Sequence, residues 1–282
     1  MTDAKLLPGF EERWADVKGT RLHYYLGGEG PPLVLVHGLG GAAANWTKLA
    51  PLLAARRRVL IPELPGHGGS APIAAAPSLV PFADRVLRVA DREAMLPAPL
   101  VGHSLGGILA LRAALLRPEA VTALVLAGAA GIGSSTRRAA RMLMIVGAVK
   151  PARRIAPFRV RIAHSEWLRA LALGVWLTED PRALPPDAAL GFLEAPRLHT
   201  DTGAAWRALV RDDPRPQLGD VRCPCLVLWG ARDRQLPVAD AFDYSRRLRA
   251  PLRVVAGCGH LLIGERPDAC AEAIEGFLAK SP

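Results

Sequence analysis

A serine sits among glycines in Gly102-His103-Ser104-Leu105-Gly106-Gly107, where the apolar run 99–103 gives way to an apolar stretch with helical spacing, 105–117. At a strand–turn–helix junction, glycines permit a tight turn that projects a serine hydroxyl from the strand end. The N–H groups that open the helix then face any negative charge nearby. Outside such a setting the pattern is a common glycine turn, which is its plain alternative reading. A serine hydroxyl is a poor nucleophile until a base takes its proton and an acid orients that base. His260, in Gly257-Cys258-Gly259-His260, follows the last strand-like run and can be brought back over Ser104 by a loop. Asp233, in Trp229-Gly230-Ala231-Arg232-Asp233, follows the preceding one. The other seat for an acid, after 121–127, reads Gly128-Ala129-Ala130-Gly131 and offers no carboxylate.

The elements that must carry these residues are legible from period and punctuation. Runs 13–17 and 20–26 flank Lys18-Gly19 as a hairpin. Run 33–37 is continuously apolar, as a strand buried on both faces must be, and 58–62 and 121–127 read the same way. Helical spacing covers 45–55, 79–95 (Val80, Ala83, Leu87 and Ala90 on one face) and 105–117, which Pro118 stops. The rhythm resumes with strand 225–230, helix 238–248, strand 251–256 and helix 267–279. It predicts an α/β protein with a mostly parallel sheet and helices on both faces. Between 133 and 212 the rhythm breaks. Helical stretches such as 138–149 and 166–177, with Trp167, Trp176 and Trp206 among arginines, predict a helical insertion over the end of the sheet. The expected division is a core of 1–132 and 213–282 with a cap, or lid, of 133–212. The cap holds thirteen bases against seven acids, +6 of the chain's +10.

The motifs together resemble the α/β-hydrolase-fold serine hydrolases, the esterase/lipase group with a helical cap. The matching pieces are His37-Gly38-Leu39-Gly40, Leu64-Pro65-Gly66-His67-Gly68-Gly69-Ser70, Gly102–Gly107, Gly230–Asp233 and Gly257–His260. The order Ser, Asp, His is that of the family. The resemblance implies the α/β-hydrolase fold, a catalytic triad of Ser104, Asp233 and His260, and an oxyanion hole from the backbone N–H groups of Leu39 and Leu105. Glu63 departs from the family's usual Asp at a structural corner, which puts little chemistry in doubt. The activity expected is a carboxylesterase-like hydrolase that cleaves a carboxylic ester or lactone through an acyl-enzyme on Ser104, with no cofactor and no metal.

Residue identities weigh against several relatives. Haloalkane dehalogenases and epoxide hydrolases use an aspartate where Ser104 stands, and Tyr24, Tyr25 and Tyr244 all lie outside the cap. Meta-cleavage C–C hydrolases usually carry Asn before the serine and Trp after the histidine, where this chain has His103 and Leu261. Proline iminopeptidases favour Trp at the place of Leu105. A C–C bond hydrolase remains an alternative, as does a non-hydrolysing member of the fold: a ligand receptor, a lyase or a cofactor-free oxygenase.

Other residues carry both a functional and a bland reading. Trp46, His103, Met142, Trp167, Trp176 and Leu261 are candidates for the substrate pocket, with Leu143 and Met144 beside Met142; packing of cap on core is the plain alternative. His37, His67 and His103 read as loop-shaping residues. His23, His164 and His199 show no pattern, although His164 and His199, in the cap, could touch substrate. Cys258 is placed near the site and open to alkylation. Cys223-Pro224-Cys225 lacks the partner pair a zinc site needs. Arg137, Arg138, Arg141, Arg153, Arg154, Arg159 and Arg161 read as a solvated face, with an acidic ligand as the sharper reading.

Composition closes off broader classes. The 282 residues are 50% hydrophobic and 22% charged, enough for a large core and unlike a disordered chain. The excess of 36 Lys+Arg over 26 Asp+Glu raises nucleic acid or a membrane surface as partners. No nucleic-acid module or interleaved aromatics accompany it. The longest run without charge, 64–83, is broken by Pro65, Pro72, Pro77 and Pro81 and is no membrane span. The N-terminus does not read as a secretory signal, and four cysteines make no disulfide framework. The expectation is a cytoplasmic enzyme acting on a small ester or lactone with an apolar acyl or alkyl part, with no nucleic-acid partner and no integral membrane segment. A homodimer is left open.

Overall fold

Strand burial divides the interior into two apolar layers. In Pro32–Val36 the side chains Leu33 to Val36 are all fully buried, yet they alternate in destination. Val34 and Val36 join Leu60, Leu100 and Leu126 on one face of the sheet, while Leu33 and Leu35 join Val59, Val101 and Val125 on the other. A strand with two apolar faces can only sit inside a sheet covered on both sides. The computed structural model describes residues 7–73, 78–132, 154–199 and 201–281. The expected helix 138–149, Met142 with its neighbours Leu143 and Met144, and Arg137, Arg138, Arg141 and Arg153 lie outside the described residues.

The strands are β1 (Phe10–Val17), β2 (Thr20–Gly27), β3 (Pro32–Val36), β4 (Arg58–Pro62), β5 (Ala98–His103), β6 (Val121–Ala127), β7 (Cys225–Gly230) and β8 (Leu252–Val255). They form one sheet in the order β1-β2-β4-β3-β5-β6-β7-β8. β1 and β2 form an antiparallel hairpin, β2 pairs antiparallel with β4, and all later pairs are parallel. This is the α/β-hydrolase architecture.

Helices α1 (Leu49–Ala54), α2 (Val80–Arg92) and α3 (Leu105–Leu116) follow their strands; α4 (Arg159–His164), α5 (Glu166–Leu177), α6 (Pro186–Leu198) and α7 (Gly203–Arg211) stand between β6 and β7; α8 (Val238–Leu248), α9 (Leu262–Glu265) and α10 (Pro267–Leu278) close the chain. α2, α3, α7 and α8 cover one face of the sheet, and α1, α9 and α10 the other. Among α4 to α6 a separate apolar cluster forms around Ile162, Leu173, Ala189 and Leu193. α7 instead packs Ala204, Ala205 and Ala208 into the main core. A buried ion pair holds its end in place: Arg112 Nε on α3 donates to Asp212 Oδ1 at 2.9 Å. The expected helix 45–55 is two pieces, a 3₁₀ turn Ala43–Trp46 followed by α1.

Candidate active site

Three loops at the carboxyl ends of parallel strands converge, after β5, β7 and β8. In open α/β sheets this is where ligands bind. The first loop is the turn from β5 into α3. Ser104 adopts φ 56°, ψ −118°, a left-handed-side conformation that costs a non-glycine residue on the order of 1–3 kcal/mol. The glycines around it are required by space. A Cβ on Gly102 would lie 2.1 Å from the Gly106 carbonyl oxygen, and one on Gly106 would lie 2.0 Å from that of Val36. The turn is secured by Ser104 N–H to Ala127 O and by Ala130 N–H to Ser104 O, both at 3.0 Å. The Ser104 side chain caps no helix N–H, so its hydroxyl is left to the cavity it lines.

The second and third loops bring Asp233 and His260 together. His260 Nδ1–H donates to Asp233 Oδ2 at 2.8 Å, with both side chains almost fully buried. Asp233 Oδ1 accepts the N–H groups of Gln235 (2.9 Å) and Leu236 (2.8 Å), so the carboxylate is aimed by its own loop. The bond at Nδ1 assigns the tautomer and leaves the Nε2 lone pair as a proton acceptor. His260 and Ser104 line the same cavity without a hydrogen bond between them, a contact that tightens in many enzymes only when substrate is bound.

His103 supports this arrangement from below. Its Nε2–H donates to the His260 carbonyl at 2.8 Å, and burial pushes its pKa down to about 3, so the ring stays neutral. On the far side of His260, Glu265 accepts Gly259 N–H at 3.0 Å and Glu179 N–H at 2.8 Å, and Leu261 N–H donates to Leu177 O at 3.0 Å. The residues on both sides of His260 are thereby tied to the segment that ends α5.

Opposite lies the loop after β3. Gly38 C=O accepts both His37 Nδ1–H (2.8 Å) and Gly41 N–H (3.1 Å). Because a trans peptide points its C=O and N–H in opposite directions, the Leu39 N–H is turned away from those partners. Leu39 lines the cavity. His37 accepts Leu64 N–H at Nε2 (3.0 Å), and burial pushes its pKa down to about 4. At the start of α3 the N–H of Leu105 has no carbonyl within the helix to meet. Glu63 fixes the exit of the loop, accepting Ala43 N–H (3.1 Å), Gly69 N–H (2.6 Å) and His23 Nδ1–H (2.7 Å). Burial raises its pKa, but His23 and the Gly69 N–H outweigh burial and keep it a carboxylate.

The cavity above Ser104 has a volume of about 270 Å³. Its walls are mostly apolar: Leu173 and Leu177 from α5, Phe192 and Leu193 from α6, Trp206 and Leu209 from α7. Of the pocket candidates, His103 and Leu261 line it. Trp46 does not: it is fully buried in the layer below the sheet with Leu33, Leu49 and Leu53. Trp167 and Trp176 do not either. They are 76% and 59% exposed, and Arg182 lies over the Trp167 ring. Met142 is outside the described residues. Phe192 and Trp206 take the place of these tryptophans, and nothing in their sequence neighbourhood distinguishes them.

Other expectations also shift. His164 is exposed and away from the cavity. His199 lies against the loop after β3 rather than in the cavity wall. Cys258 is fully buried, with its thiol pushed up to about 12 by burial, so it is not open to alkylation. Arg154 and Arg161 are exposed as expected, whereas Arg159 pairs with the buried Glu194.

Comparison with known proteins agrees with the fold. Residues 33–273 match the model of the alpha/beta hydrolase family, and the chain belongs to that family. It is 34% identical over 251 residues to a pimeloyl-[acyl-carrier protein] methyl ester esterase of Aromatoleum aromaticum, covering 87% of this chain and 97% of that one. It is 33% identical over 274 residues to the dihydrolipoyllysine-residue acetyltransferase component of the acetoin cleaving system of Pseudomonas putida, covering 94% and 69%. Among solved structures, a membrane phospholipase A superposes with a TM-score of 0.75 at 25% identity, covering 96% of this chain and 86% of the other. A hydrolase from Pseudomonas aeruginosa PA01 gives 0.72 at 25%, covering 96% and 98%. The chain is an α/β-hydrolase-fold enzyme that resembles esterases and lipases and carries a helical cap insertion.

Proposed function

We propose that this enzyme is a serine hydrolase of small carboxylic esters, working through an acyl-enzyme on Ser104. The observation that carries the reading is a strained serine turn sharing one cavity with an Asp233-oriented His260. In this reading Ser104 Oγ attacks the ester carbonyl while His260 Nε2 takes its proton. Asp233 holds the imidazole and stabilises the imidazolium. The N–H groups of Leu39 and Leu105 hold the oxyanion, each contributing a factor of about 10²–10³ in rate. His260 then protonates the departing alcohol, and water activated by the same base releases the acid.

The cavity points to the size and polarity of the substrate. About 270 Å³ is small against the roughly 300–1,000 Å³ of sites for drug-sized ligands, and its walls suit hydrocarbon. A short or medium acyl chain is therefore proposed. The same reading takes 133–212 as the cap insertion and the remainder as the core; the separate apolar cluster supports it for α4 to α6, while α7 packs into the main core. Cytoplasmic residence with reduced thiols is consistent with four unpaired cysteines. No described helix is long and apolar enough to cross a membrane.

A p-nitrophenyl ester series from acetate to palmitate, assayed with wild type and Ser104→Ala, tests the proposal. Turnover that peaks at a short or medium chain and vanishes in the variant is expected. Folded wild type without turnover on any member would remove the simple-esterase reading, leaving lactones and C–C substrates to be tried.

A further inference from the structure

The loop after β3 is held on its core side by His37 and Glu63, but it also has partners in the cap. Asn45, the chain's single asparagine, accepts Ala42 N–H on Oδ1 (3.0 Å) and donates from Nδ2 to Gly191 O on α6 (3.2 Å). α6 comes this close because position 191 has no side chain: a Cβ there would lie 2.3 Å from Ala44 O. At the C-cap of α6, directly after Leu198, His199 Nε2–H donates to Gly40 O at 2.9 Å, and its Nδ1 accepts Gly68 N–H at 3.2 Å. These two bonds assign a neutral ring with its proton on Nε2. Burial holds its pKa below the usual imidazole range against the hydrogen bond to Gly40 O and the pull of Glu63, with His67 edge-on at 5.3 Å.

Gly40 is exposed, at φ +68°, and a Cβ there would meet nothing within 4 Å. The peptide that follows it is therefore held by hydrogen bonds at its two ends, Gly41 N–H to Gly38 O at 3.1 Å and His199 Nε2–H to the Gly40 carbonyl. Gly40 lies between Leu39, whose N–H faces the developing charge in the proposed mechanism, and Gly41, whose N–H fixes Gly38 O. A rotation at Gly40 would be transmitted directly to both.

We infer that His199 is a positioning residue for the oxyanion loop, so that the cap sets transition-state stabilisation without touching the substrate. The inference rests on the serine-hydrolase reading. It separates His199 from the substrate-contact role that its cap location suggests. The segment has its own anchor beside it, Asp201 N–H to Gly66 O at 3.1 Å, so replacing His199 leaves the chain docked.

The test compares wild type, His199→Ala and His199→Gln by kcat and KM on p-nitrophenyl butyrate, by the rate of inactivation with a fluorophosphonate, and by thermal melting. A preorganised donor lost outright costs about 10²–10³ in rate, and a donor only misaligned costs less. His199→Ala is expected to lower kcat about 10- to 100-fold and slow phosphonylation by a similar factor, with KM within about twofold and the melting temperature nearly unchanged. Gln, whose amide N–H can reach Gly40 O, should recover a large part of kcat. Unchanged kcat in His199→Ala, a loss confined to KM or matched by a loss of melting temperature, or Gln no better than Ala would each overturn the inference while an active wild type preserves the hydrolase reading. A wild type that neither turns over ester nor reacts with the fluorophosphonate would overturn both.

Discussion

The floor and the roof of the cavity are built on different principles. On the floor, Ser104, Asp233 and His260 stand on the loops that follow the parallel strands β5, β7 and β8, and Asp233 and His103 are each fixed by backbone partners. The roof, α4 to α6, has a small apolar cluster of its own and is joined to the floor at discrete points. Among them are Leu177 with Leu261, Glu179 with Glu265, Gly191 with Asn45, and His199 with Gly40. On the floor side these four lie close in sequence to His260 or in and just after the loop that follows β3. In the proposed mechanism, a cap attached in this way sets the geometry of the groups it is pinned to.

The largest expected effect lies on the floor. Asp233→Asn keeps an oxygen for the Gln235 and Leu236 N–H groups but can turn an amide N–H toward His260 Nδ1, forcing the wrong tautomer. The expected loss in kcat is about 10⁴-fold with little change in melting temperature. A loss under tenfold would mean that His260 needs no fixed tautomer.

The junction between the two regions comes next. Arg112 and Asp212, both buried, hold the end of α7 to α3. Arg112→Met leaves the Asp212 carboxylate buried and without its main partner, a change that costs about 3–5 kcal/mol. Urea unfolding should show it as a lower midpoint with an unchanged slope; a shift under about 1 kcal/mol would mark the pair as dispensable.

Glu265 links floor and roof through a titratable group. Burial, with help from the Glu179 carboxylate, outweighs the backbone N–H bonds from Glu179 and Gly259 and the charge of Arg266 and leaves its pKa raised from the usual 4.5 to about 7. A carboxyl that binds its proton more tightly when folded stabilises the fold fully below its unfolded pKa, and loses that contribution as pH rises through the folded one. The wild-type melting temperature should therefore fall more between pH 5 and 8 than that of Glu265→Gln. Parallel slopes would contradict the assignment.

The smallest effect is expected on the outer surface of the roof. Trp167→Ala should change stability by about 0.5 kcal/mol or less and leave the acyl-chain profile unmoved. Phe192→Ala, on the inner wall, should move the profile toward longer chains. Equal shifts in the two variants would erase the distinction between the faces.

How far the sequence can be read follows the same division. Runs such as 58–62, 121–127 and 225–230 coincide with β4, β6 and β7 because a strand buried on both faces is apolar nearly throughout, with polar residues only near its start, as Arg58 and Thr122 show. Ser104 and Asp233 are legible because each follows such a strand, and His260 because it stands in a glycine-flanked turn after the last one, β8. The single helix expected over 45–55 divides because the Asn45 side chain bonds Ala42 N–H and Gly191 O, a partner 146 positions away. The roof was harder to read. Three tryptophans among arginines show an amphipathic segment but not which face meets the core, and Trp206 rather than Trp167 or Trp176 lines the cavity. His199 carried no local signal, since its partners are backbone atoms at Gly40 and Gly68 that only the folded chain brings near.

The central claim is that Ser104 is the nucleophile. Intact-mass and peptide-mass measurement after exposure of the native enzyme to a fluorophosphonate tests it most directly. One adduct per chain, on the peptide containing Ser104 and absent from Ser104→Ala, is the predicted result. A folded enzyme that takes no adduct, or a Ser104→Ala variant that still hydrolyses ester and is labelled elsewhere, would contradict it.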